Sequence, residues 1–327
     1  MPPFRGPAFA LVDEIPFAQF EFGASVTART TPLLVKGAVR HWPAWENWGF
    51  DKLAALCDAD AAAESAGVVS RFQTGLTEQG ATRPTRYLPV APYLRELDAA
   101  AKIPPPPGKG LLTTERRAQL AKDETFYLDW SRMDFTPDRL YLQQWNMLAA
   151  LPALRDDFPM RRLWPGLRKT WEYAFIGPAD TLTGLHFDFP NNWFCQVRGT
   201  KEFVLFPADQ APYLSVSRKY DWGAILSDVD ITRLGEHATP QSAQAAAIRE
   251  RFAQARGEYV RVEAGDALFI PRRTWHAVVS LTPAISLGVF GLTPAEIIGR
   301  GTLAEVRHLF HCARLYRWGD CTCHKKQ

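Results

Sequence analysis

Outside one polar insertion, the stretch 171–290 breaks into seven short runs: WEYAFIG, NWFCQVRG, KEFVLFP, EYVRVEAG, DALFIP, HAVVSL and AISLGVF. Each is rich in aromatic or β-branched side chains, which suit a pleated, half-buried surface, and Gly, Pro or Asp lies between them to end the pairing. Many short strands at that spacing predict a barrel or sandwich, so the fold class is mainly β with flanking helices. The interruption at 211–256 is polar and carries a helix-like QSAQAAAIRERFAQA, read as a lid over the barrel mouth.

Upstream, TTPLLVKGAV is a short strand closed by Gly37, and HWPAWENWGFDKLAALC leads into a helix. IPPPPG at 103–108 is a loop, because successive prolines lack N–H donors. TPDRLYLQQWNMLAALPAL has the composition of a helix, with Thr136 as N-cap and Pro137 at its first position. The chain thus divides into an N-terminal region (1–135) packing on the barrel, a core (136–292) with its lid, and a C-terminal helix and tail (293–327).

A hydrophobic fraction of 46% supports a substantial buried core. No apolar run approaches the ~20 residues that a bilayer span needs. MPPFRGPAFALVDEIPF carries Pro, Asp and Glu where a signal peptide is apolar, so the expectation is a soluble, cytoplasmic protein without membrane contact. With 38 basic and 35 acidic residues the net charge is only +3, and no basic run forms an obvious polyphosphate track, which makes nucleic acid the less favoured partner.

Chemistry concentrates at His186-Phe187-Asp188 and at His276, which follows GDALFIPRRTW. On a strand, residues i and i+2 share a face, so His186 and Asp188 point the same way while Phe187 points opposite. A histidine from another strand completes a two-His, one-carboxylate set that binds one side of an octahedral metal and suits ferrous iron. Lys201 opens KEFVLFP, whose alternate residues are core-facing, and a lysine there is explained either by a bound anion or by snorkelling to the surface.

TLTGLHFDFPNNWFCQVRGTKEFVLFPADQ and GDALFIPRRTWHAVVSL resemble the two metal-binding halves of the cupin-like JmjC hydroxylases, which depend on Fe(II) and 2-oxoglutarate. RLYLQQ at 139–144 and TTPLLVKGAVRHWPAW extend the resemblance, so that it covers 31–290. It implies a double-stranded β-helix (cupin, or jelly-roll) core and iron held by His186, Asp188 and His276. It further implies 2-oxoglutarate with its distal carboxylate on Lys201, helped by Thr183 and Tyr141, and a pocket lined by Asn192 and Phe194. The reaction implied is hydroxylation of a C–H bond on a peptide, protein or small-molecule substrate. Tyr220, Asp221 and Trp222 are candidate substrate contacts. Where the family commonly has asparagine on the last barrel strand, this chain has Gly288, leaving Gln143 or a water to supply the missing amide. A cupin that binds metal without 2-oxoglutarate, and a binding protein that kept the fold, are the rival readings.

Three of the five cysteines fall in the last sixteen residues. Cys312, Cys321, Cys323 and His324 offer the donors of a tetrahedral zinc site, and a disulfide between two of these cysteines is the other reading. GTLAEVRHLFHCARLYRW has near-helical apolar spacing, and the resemblance implies a homodimer through such a helix.

Overall fold

The computed structural model describes residues 6–22, 26, 28–61, 68–74, 76–77, 85–133, 139–159, 164, 169–234, 240–292, 297–298 and 302–321. Among the described residues there are seventeen strands, numbered in chain order. The first seven are β1 (Ala8–Leu11), β2 (Glu14–Pro16), β3 (Leu33–Lys36), β4 (Val69–Thr74), β5 (Leu76–Thr77), β6 (Thr85–Pro89) and β7 (Phe126–Tyr127). Next come β8 (Leu140–Trp145), β9 (Lys169–Gly177), β10 (Leu182–Asp188), β11 (Asn191–Arg198) and β12 (Lys201–Phe206). The last five are β13 (Ala224–Leu226), β14 (Arg256–Val262), β15 (Ala267–Ile270), β16 (Trp275–Ser280) and β17 (Ala284–Leu292).

These strands form two sheets. One runs β13-β10-β16-β12-β14-β1-β7, with β5 also on β10; the other runs β2-β3-β15-β11-β17-β9-β8-β4-β6. From β9 to β12, and again from β14 to β17, the chain alternates between them: β9, β11, β15 and β17 lie in the second sheet, and β10, β12, β14 and β16 in the first. Pairing within each set of four is antiparallel, which is the double-stranded β-helix. Strands from the first 135 residues extend both sheets, β1 and β7 on one, β2, β3, β4 and β6 on the other.

Every residue of β12 is buried. The reason is that both faces of each sheet are covered. Phe203, Leu205, Val260, Phe194 and Leu268 pack between the sheets. Val204, Phe206 and Trp275, on the outer face of the first sheet, pack with Phe9, Trp130 and Phe252. Trp193 and Cys195, outside the second, pack with Trp42, Trp48, Leu53 and Leu94 from the N-terminal helices. The β11 to β12 turn needs Gly199, whose φ is +76° and where a Cβ would strike Pro283 O. Outward-facing Glu202 is neutralised in place: it accepts from Leu111 N at 2.7 Å, from Arg261 Nη2 at 2.8 Å and from the Tyr259 hydroxyl.

One sequence expectation is corrected. The stretch expected as one helix after Pro137 is the strand β8, followed by the single turn Met147–Ala150; Thr136 and Pro137 lie outside the described residues. Leu, Gln and Met favour helices, but pairing with β9 outweighs that small preference. The 211–256 insertion contains the expected helix, Ala243–Phe252. Leu214, Val229, Ile231 and Phe252 anchor it in the core outside the first sheet. Among the described residues no helix is long and apolar enough to cross a membrane.

Candidate metal centre

His186 on β10 sits directly opposite His276 on β16 in the antiparallel ladder, so both rings leave the same face of the sheet. Their centroids are 4.3 Å apart. Asp188, two residues along β10, shares that face. Its Oδ2 stands 3.9 Å from His186 Nε2 and 3.7 Å from His276 Nε2. The local fold fixes each ring: His186 Nδ1 lies 2.8 Å from Gly184 O, and His276 Nδ1 lies 3.0 Å from Thr274 O. With Nδ1–H donating to a carbonyl two residues back, each Nε2 lone pair turns toward Asp188. Burial, reinforced by the neighbouring His186, pushes His276 down to about 3, so its ring is a neutral donor at physiological pH. Burial lifts Asp188 to about 6; His186 opposes that rise and Asp221 adds to it. Two imidazoles and a desolvated carboxylate converging on one point fit a divalent metal. This is the cluster of metal-type donors found among the described residues.

The sequence argument accounts for His186 and Asp188 but not for Thr183, which strict alternation would turn away. β10 shifts register between Thr183 and His186, and that irregularity brings the hydroxyl into the same cleft. A similar device acts on β8. Its pairing with β9 shifts between Leu142 and Trp145, Gln144 has φ +54°, and Gln143 and Gln144 both line the cleft. Gln144 was missed in the sequence, where its only signal is an unbroken pair of glutamines beside Tyr141.

Beyond the triad, the cleft narrows between Tyr141, Phe175, Thr183, Asn192, Phe194 and Phe203. Its empty volume, including the mouth open to solvent, is about 430 Å³. Lys201 stands against two of these lining residues, Tyr141 and Phe194. It is 1% exposed, and its Nζ donates to the Tyr141 hydroxyl at 3.0 Å and stands 5.3 and 5.4 Å from the Tyr141 and Phe194 ring centres. Among the described residues no carboxylate pairs with it, and burial alone pushes it down to about 7. Asn192 Oδ1, another buried atom of this cleft, has no hydrogen-bond partner among the described residues. A buried cation fits a carboxylate ligand better than it fits packing.

Gly288 faces Phe194 across the sheet. A Cβ there would come within 3.0 Å of Phe175 Cε2 and of Phe290 Cε2. Where an asparagine amide was expected, two rings occupy the space, so the wall is aromatic and the polar contacts fall to Gln143, Asn192 and Thr183.

Of the candidate substrate contacts, Tyr220 is taken up by packing: its ring lies 4.2 Å from that of His311, on the helix Thr302–Cys312. Trp222 stands beside His308 of the same helix at 5.4 Å and remains partly exposed. Asp221 Oδ1 accepts from Gly223 N and Ala224 N, which sets the turn into β13 at the edge of β10. The zinc expectation finds no support. Cys312 is an exposed free thiol, 3.6 Å from His308 Nε2, whereas Cys321 is buried in a bridge to Tyr220; Cys323 and His324 lie outside the described residues.

Comparison with known proteins is consistent with this geometry. The family model for the cupin-like domain matches residues 18–290. Jumonji C domain-containing protein 5 of Drosophila melanogaster is 29% identical over 155 residues, covering 45% of this chain and 35% of that protein. Lysine-specific demethylase JMJ30 of Arabidopsis thaliana is 27% identical over 213 residues, 62% of this chain and 46% of the relative. tRNA wybutosine-synthesizing protein 5 of Gallus gallus is 27% identical over 172 residues, 52% of this chain and 48% of the relative. The chain therefore spans less than half the length of each of these three.

Proposed function

Because the chain belongs to the JmjC-type cupin-like family, we propose that it is an Fe(II)- and 2-oxoglutarate-dependent oxygenase that hydroxylates a C–H bond of a peptide or protein side chain. One observation carries this reading: a buried lysine with no carboxylate partner among the described residues stands against Tyr141 and Phe194, which line the same cleft as the His186, Asp188 and His276 donors. A metal site alone does not need Lys201. A metal site that also takes a dicarboxylate does.

In this reading His186, Asp188 and His276 hold the iron, leaving its remaining positions open. Lys201 pairs with the distal carboxylate of 2-oxoglutarate, and the Tyr141 and Thr183 hydroxyls supply further donors. Asn192 and Gln143 face the end nearer the metal. When bound, iron and 2-oxoglutarate together supply the oxidising chemistry. The protein's contribution is to orient both, and its aromatic walls at Phe175, Phe194 and Phe290 keep water from the reacting centre. The relatives include a protein named for lysine-specific demethylation and one named for wybutosine synthesis on tRNA. A net charge of +3 without a basic track supports a peptide or protein over nucleic acid.

Anaerobic titration of the Fe(II)-loaded protein with 2-oxoglutarate tests the proposal. The expected result is a weak visible charge-transfer band that saturates with the cosubstrate. Iron binding without any band makes this a metal cupin of another kind.

We also propose that the chain forms a homodimer through its C-terminal helix. The helix Thr302–Cys312 turns His311 inward, fully buried, and leaves Leu309 67% and Phe310 51% exposed beside Val306. Such an apolar stripe at helical spacing fits a two-fold helix contact. Light scattering should give twice the chain mass for the wild type and one chain mass for a Leu309→Glu/Phe310→Glu variant. A monomeric wild type removes the proposal.

A further inference from the structure

We infer that Gly177 and Tyr93 are positioning residues for the anion pocket: they seat the Tyr141 ring so that its phenol meets Lys201. The inference deepens the proposed function, because that pocket is the one assigned to 2-oxoglutarate.

Gly177 ends β9, and its φ is not in the left-handed region, so its backbone is open to any residue. A glycine in such a place weakens a strand, and its presence points to a close approach by another group. That group is Tyr141. A Cβ at position 177 would stand 2.5 Å from Tyr141 Cδ2 and 3.0 Å from Cε2, well inside the ~3.5–4.0 Å at which carbon atoms rest. The Tyr141 ring thus lies against bare β9 backbone on one side, while its hydroxyl accepts from Lys201 Nζ at 3.0 Å. The ring is buried, in one core with Phe175, Phe194 and Phe203, so displacement would have to carry the phenol away from the lysine.

Tyr93 holds the two strands at that spacing. It stands on the helix Val90–Ala101, outside the barrel. Its hydroxyl shares a hydrogen bond between Leu140 O at 2.9 Å and Ile176 O at 3.2 Å. Those are the residues immediately before Tyr141 and Gly177. The β8 to β9 ladder is irregular just beyond this point, where the register shifts after Leu142, and the phenol bridges the strands where regular pairing gives out. Through Tyr93 the N-terminal helical layer therefore reaches the floor of the pocket without touching a ligand.

The test is a crystal structure of the metal-free Gly177→Ala protein, read together with 2-oxoglutarate binding to Mn(II)-loaded variants by calorimetry. The expected structure shows the Tyr141 hydroxyl moved beyond hydrogen-bond reach of Lys201. The expected binding loss is about tenfold, the scale for one hydrogen bond within a charged cluster, with Mn(II) affinity unchanged. A Gly177→Ala/Tyr141→Phe double variant should bind no more weakly than Tyr141→Phe alone, which a general loss of packing would not produce. Tyr93→Phe, a smaller change, should give the same sign and the same non-additivity if Gly177→Ala fails to fold. A Tyr141 ring that keeps its place in Gly177→Ala, or losses that add to that of Tyr141→Phe, overturn the clamp. Failure of the wild type to bind 2-oxoglutarate would instead strike the cosubstrate reading, and the metal-free structure would still decide the clamp.

Discussion

An Asp188→Ala variant is expected to lose metal affinity by more than the roughly 10–100-fold that outer partners of a metal site are worth, while its metal-free form melts no lower than the wild type. Asp188 is the one anionic donor of the cluster, so its removal leaves two imidazoles to hold a divalent ion. The stability half follows from proton linkage. Burial raises the folded carboxyl from 3.8 to about 6, so between those values the folded state binds more protons than the unfolded state, and stability falls as pH rises. Above about 6 the carboxylate carries its full desolvation penalty, on the order of 1–3 kcal/mol, which alanine lacks. The metal supplies the compensation in the wild type. At a metal concentration 100 times the dissociation constant, binding stabilises the fold by about 2.7 kcal/mol. Melting curves at pH 7.5, with and without Mn(II) as a stand-in for iron, should show a metal-dependent rise for the wild type and none for Asp188→Ala. Equal rises in both would remove Asp188 from the ligand set.

The triad was legible in the sequence because its logic is local. His186 and Asp188 obey strand alternation, and His276 begins the strand that the topology places beside them. Lys201 was legible for the same reason, as the first of the alternate inward residues 201, 203 and 205. What escaped the sequence depends on departures from regularity. Thr183, named through the family resemblance alone, and Gln144, not named at all, reach the cleft through register shifts, which no periodicity reports. β8 reads as helix because Leu, Gln and Met are good helix formers, and it becomes a strand only when β9 and β4 are beside it. Gly288 was noticed as a missing amide, but the rings of Phe175 and Phe290 that fill its place lie on another strand and two residues away on its own.

Lys201→Met should separate function from stability in opposite directions. Removing one partner of a buried charged pair costs about 2–5 kcal/mol of binding, so 2-oxoglutarate affinity is expected to fall at least ~30-fold, and the charge-transfer band with it. The ligand-free protein should become more stable. In the wild type the ammonium is buried without a carboxylate partner among the described residues, and replacing buried charge by an apolar side chain of similar length commonly gains about 1–4 kcal/mol. The pH dependence gives the cause away. The folded lysine loses its proton near 7 and the unfolded one near 10.5, so between these values the unfolded state binds more protons and wild-type stability rises with pH. Below 7 both states are protonated and the full penalty is present; above 10.5 it is gone. Lys201→Met has no such proton to lose, and its advantage over the wild type should shrink steadily as the pH is raised from 7 toward 10.5. Denaturant midpoints across that range, beside a cosubstrate titration at pH 7, measure both halves. A variant that is less stable, yet binds 2-oxoglutarate as the wild type does, would make Lys201 a packing residue and would remove the observation on which the oxygenase reading rests.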